Sequence, residues 1–267
     1  TLGKPVSIKT RKLLGWLGVS KVDIDWLNLE SLRNKSIDDI VDDRNQTITA
    51  NIKFNEVSLP ESARLIEVTD THFVDYLSGR AIKFDQYGFM ITPRDKARNK
   101  NRIIIPYMNK GKIVGYTSRF LDDRIPRYVN EQQPGYVFGL DFQQENWKFA
   151  IVTEGILDAI SIDGLAVLHN KIGSPQAQQL KQLYRKIIVV PDQDKAGLNL
   201  IDDALENGFN VSIPDWGDSS IKDVNDAVVK FGKIATVLKI LKYANASSLK
   251  IKLAKKELER KINALVS

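Results

Sequence analysis

Between Ala150 and Asp226 the chain reads in three acid-bearing pieces, and in the first two a short apolar run is followed by an acidic residue and then by apolar positions at helical spacing. The pieces are AIVTEGILDAIS (150–161), IIVVPDQDKAGLNL (187–200) and SSIKDVNDAVV (219–229). A strand running straight into a helix reads this way. LAVLHN (165–170) predicts a second strand, KIIVVP (186–191) a third and FNVSIPDW (209–216) a fourth. Helices are predicted over SPQAQQLKQLY (174–184), with Ser174 as N-cap and Pro175 at the first helical position, over 195–207 ending near Gly208, and over VNDAVVKFG (224–232) ended by Gly232. Strands alternating with helices predict an α/β fold with a largely parallel sheet flanked by helices, over residues 149–232.

The flanking pattern differs. Residues 1–58 form a charge-balanced helical and linker region, with amphipathic spacing in RKLLGWLGV (11–19) and VDIDWLNLESLRN (22–34); ITANIKFNEVSLP (48–60) alternates like a strand and closes at Pro60. Residues 59–148 predict an α+β subdomain. HFVDYLSGRAI (72–82) has helical spacing with Gly79 as stop, FDQYGFMIT (84–92) alternates, and RDKARNKN (94–101) has the charge of a solvated loop. RIIIPYMNKGKIVGYTSRFL (102–121) reads as a hairpin about Asn109-Lys110-Gly111, with strands Arg102 to Tyr107 and Lys112 to Phe120, and RIPRYVN (124–130) adds a further strand. The tail, 233–267, is predicted helical, with Leu249, Ile251, Leu253, Leu258, Ile262 and Leu265 set among lysines as a packing or partner-docking face.

Ligands of open α/β sheets sit beyond the carboxyl ends of the strands, so Glu154, Asp192 and Asp194 are expected in one crevice. Asp192 and Asp223 each precede a helix, where an Asp cap alone contributes about 1 kcal/mol. Asp194, two residues after Asp192, points to the same side of an extended segment, which a cap does not require. Gathered carboxylates repel unless a hard cation neutralises them, and Mg²⁺ is the usual ion beside phosphates.

Charge distribution supports this division of labour. The chain of 267 residues carries +6 overall. Residues 94–127 hold ten Lys/Arg against three Asp, whereas 150–226 hold twelve acids against six bases. A basic segment beside an acidic one suits an enzyme that holds polyanions with cations and works on them with metal-bound carboxylates. The absence of cysteine excludes a thiolate nucleophile and any Cys-based zinc site in this chain. His72 and His169 stand far apart and read as packing residues. No apolar run approaches the ~18 residues of a membrane span.

TEG with Asp158 and PDQD with Gly197 resemble the Toprim signature, a glutamate ending one strand and a DxD ending another. The preceding RIIIPY, IVGYTSRFL, RYVN and FGL, in that order, resemble the catalytic core of bacterial and bacteriophage primases of the DnaG type. KDVND followed by KFG resembles the end of that core in T-even-like phage primases. The resemblance covers roughly residues 85–232 and implies a Toprim-type sheet behind a basic subdomain. It implies template-directed synthesis of short RNA primers from NTPs on single-stranded DNA, in a bacterial cytoplasm and with a phage-encoded origin, beside a replicative helicase.

Carried over by residue, Glu154, Asp192 and Asp194 match the catalytic, metal-binding acids for two Mg²⁺ or Mn²⁺ ions, and Asp158 and Asp223 match accessory acids. Arg102, Arg119 and Arg127 match cations that bind nucleotide or template, Tyr128 accompanies Arg127, and Lys112 on the same hairpin is grouped with them. Two positions depart: the family's lysine before this tyrosine is Arg127, and a basic cluster is replaced by uncharged QQPGY (132–136). A zinc ribbon ordinarily precedes such a core; with a first residue of Thr1 it is expected upstream or trimmed away, with a naturally ribbon-free enzyme as the other reading. The alternative functions are a Toprim nuclease and a non-catalytic DNA-binding or helicase-associated module.

Overall fold

The computed structural model describes residues 7–16, 19–25, 27, 52–93, 100–122 and 124–266. The chain divides into two units, residues 1–51 and 52–267. In the first, α1 (Ile8–Trp16) begins three residues before the predicted RKLLGWLGV. Ser7 explains this, since its Oγ accepts from Thr10 N at 3.1 Å as an N-cap does. Ser20 repeats the device, accepting from Asp23 N at 3.1 Å at the start of helical residues 21–25. The remainder of the helix expected over 22–34, except Leu27, lies outside the described residues, as do residues 48–51 of the alternating stretch and 94–99 of the basic one.

The second unit opens with β1 (Arg64–Leu65), α2 (Thr71–Gly79), β2 (Met90–Ile91), β3 (Arg102–Asn109), β4 (Lys112–Phe120) and β5 (Tyr128–Glu131). These strands form one antiparallel sheet in chain order. The predicted hairpin is present, running from Arg102 opposite Phe120 to Asn109 opposite Lys112. Of two other expected strands, one is not and one is shortened. Residues 52–60 form no strand and are tied to β4 by the bond from Val57 N to Ile113 O at 2.9 Å. FDQYGFMIT pairs only at Met90–Ile91, because a turn with Gly88 at φ +63° precedes it; Tyr87 and Phe89 are buried as core aromatics, so their alternation records burial rather than pairing.

Next come β6 (Phe149–Thr153), α3 (Ile156–Ile162), β7 (Leu165–Ala166), α4 (Ser174–Lys181), β8 (Lys186–Val189), α5 (Gly197–Glu206), β9 (Asn210–Ser212), α6 (Val224–Phe231), α7 (Lys233–Tyr243), β10 (Ala244–Asn245) and α8 (Ser248–Val266). The second sheet has the order β10-β9-β8-β6-β7 and is parallel except where β10 meets β9. LAVLHN pairs as a strand only at Leu165–Ala166, although Val167 N and Leu168 N still bond Thr153 O and Glu154 O. The cap of α4 is Gly173, not Ser174. The Gln176 side chain accepts from Gly173 N at 3.0 Å and donates to Tyr136 O and Val167 O, so the glutamine anchors this turn. The tail is helical but broken by β10, and α8 buries Ile251 and Leu258 in the core that holds Leu200 and Ala204. None of the described helices is long and apolar enough to cross a membrane.

The strand order reverses at β6, whose chain goes to β7 on one side and whose other neighbour is β8. Residues after β6 and β8 therefore open into one crevice. Gly197 permits its tight lower lip, because a Cβ there would sit 2.2 Å from Asp192 O. A single apolar cluster joins the two sheets: Ile103, Ile105, Tyr107 and Val114 pack with Tyr136, Phe138 and Ile156, Leu157 and Ile160 of α3.

Candidate active site

Glu154 follows β6 directly, and Gly155 then caps α3. The cap must be small, since a Cβ at Gly155 would meet Asp158 Oδ2 at 2.4 Å. Asp158, in the first turn of α3, is buried, with 7% exposure. Its Oδ1 accepts from Asn225 N at 2.8 Å, and the Asp223 carboxyl is near enough to act on it electrostatically. Asp223 caps α6, accepting from Asp226 N at 2.7 Å. Burial first, and for Asp158 then the charge of Asp223, pushes both carboxyls above the usual carboxylate range.

Asp192 follows β8. Burial, then the charges of Asp158, Glu154, Asp223 and Asp194, push it up to about 8, with no hydrogen bond to offset them. Glu154 is raised by burial and then by Asp194, and its Oε2 is buried without a hydrogen-bond partner. Asp194 is exposed, and its Oδ1 accepts from Ala196 N at 2.8 Å and Gly197 N at 3.0 Å, starting α5. Thus all five predicted acids share one electrostatic neighbourhood. Among the described residues, however, no three of them stand close enough to form a ligand shell. Asp158, Asp194 and Asp223 each have an oxygen engaged by backbone N–H, whereas Glu154 Oε2 and Asp192 do not. An orphaned buried oxygen beside an uncompensated carboxyl, in an all-oxygen donor set, fits a hard divalent cation.

The basic residues divide differently. Arg102 is 1% exposed; Nη1 donates to Ser118 O and Arg127 O at 3.1 Å, Nη2 donates to Pro126 O at 2.7 Å, and the guanidinium lies 3.4 Å from the Phe120 ring centroid. It therefore faces its strand partner and the entry to β5, and the structure does not present it to a ligand as expected. Arg102→Met should lower stability by about 2–4 kcal/mol, because it leaves buried carbonyls unpaired, read as a shifted urea midpoint. An unchanged midpoint would refute that account.

Arg119 is 4% exposed with its Nε unpartnered, 4.6 Å from the Tyr128 ring and 5.3 Å from that of Tyr76. Burial lowers its pKa to about 10; nearby Tyr76 opposes this, and Arg80 and Arg127 add to it. Arg119, Arg127 and Tyr128 are thus brought together. Lys112 is not: it pairs with Glu56 at 3.5 Å, seven residues along β4 from Arg119, roughly 23 Å at the usual strand rise.

Sequence reading missed Tyr76, Arg80 and Asn225. Arg80 stacks on Tyr76 at 5.4 Å, its Nη1 donates to Asn225 Oδ1 at 2.8 Å, and Asn225 Nδ2 donates to Arg80 O at 2.9 Å. Arg80 lies near enough to favour ionisation of Asp158 and Asp223 and also to weigh on Arg119, so it stands between the acids and the cations. Tyr76, Arg80, Asn225 and Lys230 line an open cavity of about 590 Å³. The signal available was a lone arginine just past the Gly79 stop.

No protein-family model matches the chain. The DNA primase of Clostridium acetobutylicum is 32% identical over 168 residues, 55% of this chain and 28% of that primase. The DNA primase of Deinococcus radiodurans is 29% identical over 156 residues, 49% of this chain and 26% of the relative. The chain thus spans under a third of the length of these curated relatives. Among solved structures, a DnaG primase catalytic domain bound to ssDNA superposes with a TM-score of 0.56 at 19% identity, over 70% of this chain and 76% of that one.

Proposed function

We propose that this chain, whose fold is that of the DnaG-type primase catalytic core, carries out metal-dependent nucleotidyl transfer to make short RNA primers on single-stranded DNA. The observation that carries the reading is Arg80, which shares the Tyr76 ring with Arg119 and bonds Asn225, whose backbone N–H bonds Asp158, so that cations and acids adjoin. A polyanion held by the cations would have its reacting phosphate beside the acids.

Glu154 and Asp192 would hold the ions, Mg²⁺ or Mn²⁺ and two in number, with Asp194 completing the set and Asp158 and Asp223 behind it. When bound, such ions acidify the attacking 3′-hydroxyl, orient the α-phosphate and stabilise departing pyrophosphate. Arg119 and Arg127 would take phosphate oxygens, where a guanidinium can bind two at once. Exposed Tyr128, stacked on Arg119, would offer its other face to a base. Arg102 supports this indirectly by holding the carbonyls of Pro126 and Arg127. A replicative helicase and a cytoplasmic setting complete the proposal.

Incubating the chain with single-stranded DNA, labelled NTPs and Mg²⁺ or Mn²⁺ tests it directly. Short oligoribonucleotides that require template are expected on a gel. Shortened DNA with no RNA product would instead assign the site to a nuclease.

A further inference from the structure

Two carboxylates and an arginine in one partly buried neighbourhood ordinarily collapse into ion pairs, because a guanidinium–carboxylate bond satisfies both partners at once. Here they do not. Arg80 biases Asp158 and Asp223 from nearby, yet among the described residues it forms no ion pair with either. What lies between is Asn225, which is 1% exposed. Its backbone N–H occupies Asp158 Oδ1. Its side-chain oxygen occupies Arg80 Nη1, and its side-chain nitrogen returns a bond to Arg80 O. One neutral residue thus satisfies the arginine at two atoms and the acid at one.

Resting on the reading of the acids as a metal site, we infer that Asn225 is an insulating spacer, a positioning residue that keeps the Arg80 cation off the Asp158–Asp223 pair, so that the pair's negative charge still favours a cation held by Glu154 and Asp192. An amide suits this role where its neighbours in size do not. A carboxylate cannot donate to Arg80 O, and it would neutralise the guanidinium. A leucine would leave Arg80 Nη1 and Arg80 O unpaired. Without the spacer, Arg80 becomes the counter-ion of the acid pair. A divalent cation must then displace it.

Titration of the chain with Mn²⁺ alone, followed by the loss of the free-ion EPR signal, tests this. Asn225→Ala should weaken Mn²⁺ binding about tenfold, and adding Arg80→Ala to it should bring affinity back to within threefold of the parent. A merely structural asparagine gives no such rescue. If Asn225→Ala binds Mn²⁺ normally, or if the double variant binds as weakly as the single one, the inference is wrong. Should Asn225→Ala not fold, Asn225→Asp keeps the volume, and its Mn²⁺ affinity should equal or exceed the parent's, because the new carboxylate neutralises Arg80. Weakened Mn²⁺ binding in Asn225→Asp would refute the spacer equally. Asp192→Ala separates the metal site from the spacer. If it leaves Mn²⁺ binding intact, the metal-site reading fails; if it removes binding while Asn225→Ala does not change it, only the spacer fails.

Discussion

Asp192→Asn is expected to lower primer synthesis by more than a hundredfold while leaving the chain folded, and Glu154→Gln to do the same. Loss of groups that merely orient metal ligands already costs 10–100-fold, so loss of a ligand should exceed that range. These two acids are singled out because their oxygens are not engaged elsewhere: Glu154 Oε2 is orphaned, and Asp192 has only burial and four like charges around it. Asp194 is less clean as a test. Its side chain also starts α5 through Ala196 N and Gly197 N, so Asp194→Ala mixes helix stability with chemistry. Normal primer yield from both Asp192→Asn and Glu154→Gln would remove the carboxylate assignment.

The same crowding makes the metal-free protein sensitive to pH. Asp192 binds its proton more tightly folded, at about 8, than unfolded, near 3.8, so its protonation stabilises the native state. That contribution is fully present below the unfolded value and is lost as pH rises through about 8. Between pH 6 and pH 8 the unfolded chain has released the proton and the folded one largely retains it. Stability should therefore fall by about 1.4 kcal/mol per unit at first, and by about 2 kcal/mol over the interval. For a chain of this size that is a loss of roughly 5 °C in Tm. Raised Asp158, Asp223 and Glu154 push in the same direction. Millimolar Mg²⁺ should restore the high-pH loss, and Asp192→Asn should flatten the pH dependence. A metal-free Tm that rises from pH 6 to pH 8 would contradict the assigned burial of these acids.

The parallel sheet and its acids were legible because their signals are local: an apolar run, an acid and a helical period lie within a dozen residues of one another. Glu154, Asp192 and Asp194 needed only the rule that strands end at the crevice. Burial misled at two places. Tyr87 and Phe89 alternate because they fill the core, and nothing local distinguishes that from a ladder. Arg102 shows the limit for charge: on a strand its direction is fixed, but its inward turn depends on Phe120 across the ladder and on carbonyls 24 and 25 residues away. Arg80 and Asn225 were invisible for a plainer reason. They meet across 145 residues, and each alone looks like a helix-end polar residue.

The apolar cluster running from β3 and β4 through Tyr136 and Phe138 into α3 bears on how the enzyme would work, because α3 also carries Asp158 and begins one residue after Glu154. One shared core thus ties the strands that carry the cations to the helix that carries Asp158. Within that core Tyr107 stacks on Tyr136 at 5.0 Å between ring centroids. If the proposed function holds, the spacing of cations and acids that a nucleic acid meets would depend on buried aromatics as well as on the residues that touch it.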